Sequence, residues 1–187
     1  MKKLVILSAI ILGIFTEGYA QKNFSLGGAY FGSSLTSPGF LMELEYEKAH
    51  SEQFSIPVQL HAGFYNDRED NNVLFTDIHR GFRKTFNNGL FVEQSFGVGV
   101  MLSFYKDKPY YEAENGNAGY FPNGRGVDIL PSVTIGAGYN LPWKNGSKGR
   151  IWCRPKIYWQ MPFDQPSQPK FALQIGYSHL ITSNQLF

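Results

Sequence analysis

Between Leu90 and Tyr105 the chain alternates. Leu90, Val92, Phe96, Val98, Val100, Leu102 and Phe104 occupy one parity; Phe91, Glu93, Ser95, Gly97, Gly99, Met101, Ser103 and Tyr105 occupy the other. A period of two puts successive side chains on opposite faces of a sheet, so this stretch predicts a β-strand with one apolar face and one small, polar or aromatic face. It is far longer than the usual strand of about five or six residues. The same period recurs along the chain and predicts eight strands, near 23–33, 39–49, 52–65, 72–86, 89–105, 126–140, 150–161 and 170–182.

Turn-forming residues separate them: Thr36-Ser37-Pro38-Gly39, the run from Asn66 to Asn72, Asn87-Asn88-Gly89, Asn145-Gly146, and Pro166 to Pro169. Most connections are short, which favours antiparallel neighbours. The expected fold class is all-β, an eight-stranded antiparallel up-and-down transmembrane β-barrel. Its domain spans 21–187, with no internal repeat, linker or composition shift to mark a second one. The longest connection is 106–125. If the chain enters from the periplasm, this loop and those at 34–38, 66–72 and 162–169 lie outside. The turns at His50, Asn87 and Asn145 then lie inside the envelope, as is usual for outer-membrane barrels.

Parity also sorts the side chains into two environments. One face collects apolar residues such as Phe40, Met42, Leu44, Leu60, Phe64, Ile135, Ile151, Phe171 and Ile175. The other collects Glu43, Glu45, Glu47, Gln59, His61, Asp77, His79, Arg83, Glu93, Asp128, Arg154, Lys156 and Gln174, together with many glycines. A soluble barrel would turn the apolar set inward, and a membrane barrel inverts this. The polar face decides between them. It is rich in Gly, Ser and Thr, with acids and bases in balance, which suits a narrow lumen rather than a surface washed by water. Charges there must pair, because burying an unpaired one costs several kcal/mol. Pro57, Pro131 and Pro155 fall inside predicted strands and are expected to mark bulges. Arg80 and Lys84 land on the apolar face, and a bulge at Gly81 would turn Arg80 inward.

Composition points the same way. Charged residues are 17% of the 187-residue chain and aromatics 16%, against about 25% charged in ordinary soluble domains. The chain opens with two lysines, an apolar run from Leu4 to Phe15, and Gly18-Tyr19-Ala20 before Gln21, which predicts a signal peptide at 1–20. Removing Lys2, Lys3 and Glu17 leaves 15 basic and 14 acidic residues, so nothing suggests a nucleic-acid partner. Cys153 is the one cysteine. It excludes an internal disulfide and offers no metal-ligand spacing, and no metal or cofactor is expected.

The signal sequence, the eight alternating segments and the terminal strand FALQIGYSHLITSNQLF resemble those of small Gram-negative outer-membrane β-barrels of the OmpA/OmpX type. The resemblance implies location in the cell outer membrane, contact with its lipid, and a C-terminal insertion signal carried by Tyr177 and Phe187 and read by the barrel insertion machinery. The expected lumen charge network is Glu43, Glu45, Glu47, His61, Asp77, Arg83, Glu93, Arg154 and Lys156. In it, Glu43, Glu45, Glu47 and Glu93 face Arg83, Arg154 and Lys156. The expected partner-contact loop carries Tyr110, Tyr111, Tyr120 and Phe121, amphipathic aromatics among Asn and Gly. No catalytic residues are assigned. Ser178-His179 with Ser183-Asn184 does not match the histidine-serine-asparagine pattern of the lipid A deacylases, and His61 with Asp77 reads better as an interior pair. The resulting functional reading is a structural or interaction barrel that presents loops or joins a larger outer-membrane complex. The alternatives are a narrow, porin-like channel for small solutes and, behind it, a lipid A-modifying enzyme.

Overall fold

A computed structural model describes residues 22–33, 37–67, 71–105, 110–112, 118–120, 125–142, 148–162 and 168–182. The expected signal peptide, Phe121 and Phe187 lie outside them. The strands are β1 (Lys22–Ser33), β2 (Ser37–Ala49), β3 (Phe54–Asp67), β4 (Asn71–Thr85), β5 (Leu90–Tyr105), β6 (Tyr110–Glu112), β7 (Ala118–Tyr120), β8 (Arg125–Ile129), β9 (Ser132–Pro142), β10 (Lys148–Pro162) and β11 (Gln168–Thr182). Each of β1 to β4 pairs antiparallel with the next; β5 pairs with both β8 and β9, these with β10, β10 with β11, and β11 with β1. The ring is closed. β8 and β9 form one crossing interrupted at Leu130-Pro131, so the barrel has eight crossings.

The prolines are not bulges. Across Leu130 the β5 register runs on unbroken, with Gly99 and Leu130 exchanging both backbone hydrogen bonds, while the Pro131 carbonyl accepts the Trp159 N–H. Pro57 keeps its place opposite Glu47 and Pro155 opposite Leu173. Around each proline the pairing lapses on the other neighbour and resumes in the same register. A proline removes one N–H, which points to one neighbour only, and the remaining ladder holds the strand in phase. The register shift that does occur lies at Phe24/Ser25, where β1 meets β11. With no shift at Gly81, Arg80 stays outward and exposed. Its long stem lets the guanidinium reach toward the nearer interface. Lys84, closer to the turn, lies over the rings of Phe54 and Phe86, at 5.5 and 5.4 Å.

The faces divide as the alternation requires. Phe96, Val98 and Val100 are 54%, 52% and 44% exposed on the outside. Matching residues on every other crossing continue an apolar belt around the barrel, among them Phe40, Leu60, Ile78, Ile135, Ile157 and Ile175. The charged residues of the opposite parity are buried inside. An apolar exterior around a charged interior is stable only where the surrounding solvent is hydrocarbon.

The connections are more even than the sequence suggests. Strands extend until only 34–36, 68–70 and 163–167 separate them at one end. The opposite end is closed by tight turns at 50–53 and 86–89, the latter using Gly89 at φ 87°. The connection from 106 to 124 is long and carries a hairpin of its own, in which Tyr110 pairs with Tyr120 and Tyr111 with Gly119.

Glycines set the bore. A Cβ at Gly97 would lie 2.5 Å from the His79 ring, at Gly138 2.4 Å from Phe91, and at Gly176 2.6 Å from Trp152. These three large inward side chains each sit opposite a glycine on the neighbouring strand, which gives them room in an eight-stranded lumen. Two contrasting substitutions test this arrangement. Val98→Asp should destabilise the barrel by about 2–4 kcal/mol because it places charge against lipid. Gly97→Leu should prevent folding by collision with His79. Unfolding in lipid vesicles, with spin labels at 96, 98 and 100 reporting oxygen rather than nickel access, checks both the energetics and the facing.

Candidate functional site

The chemistry of the described residues lies inside the barrel. Three glutamates stand on the inward parity of β2, and their bases come from other crossings. Glu45 is fully buried; both of its oxygens accept from Arg83, at 2.9 and 2.6 Å. It also accepts from Gln59 at 2.9 Å and from Arg150 at 2.5 Å. Glu47 accepts from Arg150 at 2.8 Å and from the Ser55 hydroxyl at 2.5 Å, and lies 3.0 Å from Arg83. Glu43 accepts from Arg154. Glu93, reaching in from β5, accepts from Arg83 at 2.8 Å and from Arg154. Arg83 and Arg154 are completely excluded from solvent. Their planar forks let each guanidinium bind several carboxylates at once, which a lysine could not reproduce.

Further from the tight turns a second cluster is centred on Asp77. His61 directs Nδ1 at Asp77 (2.8 Å) and Nε2 at Glu43 (3.1 Å). Where both carboxylates are ionised, each ring nitrogen donates, and the imidazole is then in its protonated, cationic form. Lys156 donates to Asp77 and lies 3.4 Å from His79 Nε2. His79 is flanked by the hydroxyls of Ser95 and Ser132, both at 3.3 Å. With His61 cationic, the five carboxylates of Glu43, Glu45, Glu47, Asp77 and Glu93 are matched by His61, Arg83, Arg150, Arg154 and Lys156.

All nine residues expected in the lumen are therefore brought together. The pairing differs in one respect: Lys156 meets Asp77, not a glutamate. Arg150, absent from the expected set, is a central member. Its parity is that of Arg154 and Lys156 and it opens the expected strand 150–161, so applying the alternation to that strand's first residue would have found it. A third layer was also missed. Phe31, Tyr65 and Phe75 pack with ring centroids 4.7 to 6.2 Å apart, and Tyr158 bonds Ser33 at 2.8 Å. These aromatics share the polar parity and close the lumen at the end opposite the tight turns.

His61, Asp77 and His79 also bring their ligand atoms within 4.8 Å of one another. The Lys156 ammonium already sits against Asp77 and His79 there, and a second cation would be repelled. The cluster is an ion-pair site whose histidines are interior partners. Tyr177, expected in the insertion signal, is exposed on the outer face of β11.

No protein-family model matches the chain, and no curated protein matches it in sequence. Solved structures do resemble it. Ail, the attachment invasion locus protein of Yersinia pestis, superposes with a TM-score of 0.50 at 11% identity, covering 87% of this chain and 99% of that one. This chain has the fold of the small eight-stranded outer-membrane β-barrels. The N-terminal barrel domain of Pseudomonas aeruginosa OprF matches at 10% identity and TM-score 0.47, over 87% of this chain and 99% of that one. The outer membrane enzyme PagL matches at 9% and 0.48, over 82% and 97%.

The network yields a stability test. Arg154→Met takes from buried Glu43 its guanidinium and from Glu93 one of two, and should cost about 3–5 kcal/mol. Adding Glu43→Gln should recover part of that loss, because Glu43 is the carboxylate left without a guanidinium. Denaturant unfolding in detergent or vesicles measures both variants; an unchanged midpoint for Arg154→Met would show that the network does not hold the barrel together.

Proposed function

We propose that the chain is an integral protein of the outer membrane whose lumen is plugged, and that it works as a structural or interaction component, presenting its loops or docking on a larger membrane complex. The observation that carries this reading is the filling of the lumen. Arg83 and Arg154 span it, held by carboxylates from β2 and β5, and the aromatic layer of Phe31, Tyr65, Phe75 and Tyr158 lies beyond them. A solute would have to break several buried ion pairs to pass.

In this reading the tight turns at 50–53 and 86–89 face the periplasm and the β6–β7 hairpin faces outward, since long connections are characteristic of the external side. The hairpin backbone carries Tyr110, Tyr111 and Tyr120, residue types suited to contact with another surface. The insertion machinery and membrane lipid are the partners that such a barrel requires.

Planar-bilayer recording tests the plug. The wild-type protein should insert without producing conductance steps, and its heat-modifiable gel shift should report an intact barrel. Stable single-channel steps from the folded wild-type protein would favour the channel reading instead.

A further inference from the structure

At the tight-turn end the barrel opens into a cavity of about 530 Å³, within the about 300–1,000 Å³ typical of small-molecule sites. Its floor is the outermost layer of the ion-pair network, where Arg150 spans Glu45, Glu47 and Asn140. The cavity is a cup, open at its mouth.

Its lining contains hydrogen-bonding groups that the protein leaves unused. Ser178 is 2% exposed, lines the cup, and has a hydroxyl with no partner among the described residues. The Asn23 Oδ1 is likewise buried and unpartnered. Arg150 Nε occupies the Asn140 Oδ1 at 2.9 Å, which leaves that carboxamide its nitrogen as donor. A buried hydroxyl or carboxamide without a partner costs free energy until something binds it.

The chemistry of these groups selects the ligand. Arg150 is the one base among the described lining residues, and it is already engaged by two carboxylates; that lining offers an anion no free cation. Eleven of the twenty described lining residues carry a carboxamide or a hydroxyl, set among apolar ones such as Ala49, Leu141 and Leu180. A peptide would add to a strand edge, yet the closed ring leaves none of the crossings with an unpaired edge. Carboxamides and hydroxyls both donate and accept, as do the neighbouring hydroxyls of a sugar.

We propose that the tight-turn mouth of the barrel is a binding site for a short neutral saccharide, with Ser178, Asn23 and Asn140 as its polar contacts. The test uses the full-length protein, folded in a detergent without a sugar head group and titrated calorimetrically with tri-N-acetylchitotriose, maltotriose and trialanine. Saturable binding of either sugar, without binding of trialanine, is the expected result, and the preferred sugar identifies whether acetamido groups are read. Ser178→Ala and Asn140→Asp should each weaken that binding by about fivefold or more. The second keeps an oxygen for Arg150, so its effect is not a loss of the floor. Retained heat modifiability confirms that both variants fold. The proposal is overturned if neither sugar saturates, if trialanine binds as well as the sugars, or if both folded variants bind sugar as the wild type does.

Discussion

Hydrocarbon offers no hydrogen bonds, so a chain that crosses it must satisfy each backbone N–H and C=O from within. Here the pairing of β11 with β1 meets that demand, because it turns an open sheet with two bare edges into a ring with none. The tolerance of three prolines belongs to the same constraint. Each forfeits a single donor toward one neighbour, and the long ladders on either side prevent a slip. A slip of one residue would turn a charged face to lipid and an apolar face inward.

Closure then dictates the interior. Eight crossings leave a bore just wide enough for side chains. The charges in it cannot be hydrated as surface charges are and must be matched within the barrel. The solution is a set of guanidiniums that each hold several carboxylates, with His61 bridging Glu43 to Asp77 and Lys156 completing the second cluster. Space is found by setting several bulky inward groups against a glycine across the ladder, as with His79 and Gly97 or Trp152 and Gly176.

The two ends are unlike. One is sealed by rings from β1, β3 and β4 with Tyr158 of β10, while the other stops at Arg150 and leaves a polar cup. The asymmetry places buried, unsatisfied polar groups where a ligand can reach them, and places the aromatic layer beneath the connection that carries the β6–β7 hairpin.

Alternation is a local property, and it was legible residue by residue. Every predicted segment is a crossing, and Leu90 to Phe104 faces the way its parity requires because side-chain direction in a strand depends on position alone. The membership of the lumen followed from the same rule, and even the missed Arg150 obeys it. The partnerships did not follow. Arg154 meets Glu43 across 111 residues of chain and Lys156 meets Asp77 across 79. Which acid lies level with which base is set by the tilt and stagger of the closed ring, a quantity no single strand contains. The same holds for the aromatic layer: Phe31, Tyr65, Phe75 and Tyr158 are scattered over four strands, and only the barrel brings them to one height. The sequence by itself determined which residues face lipid and which face the lumen, since that needs only a period of two; the tertiary structure alone decided what each lumen residue touches, since that depends on closure.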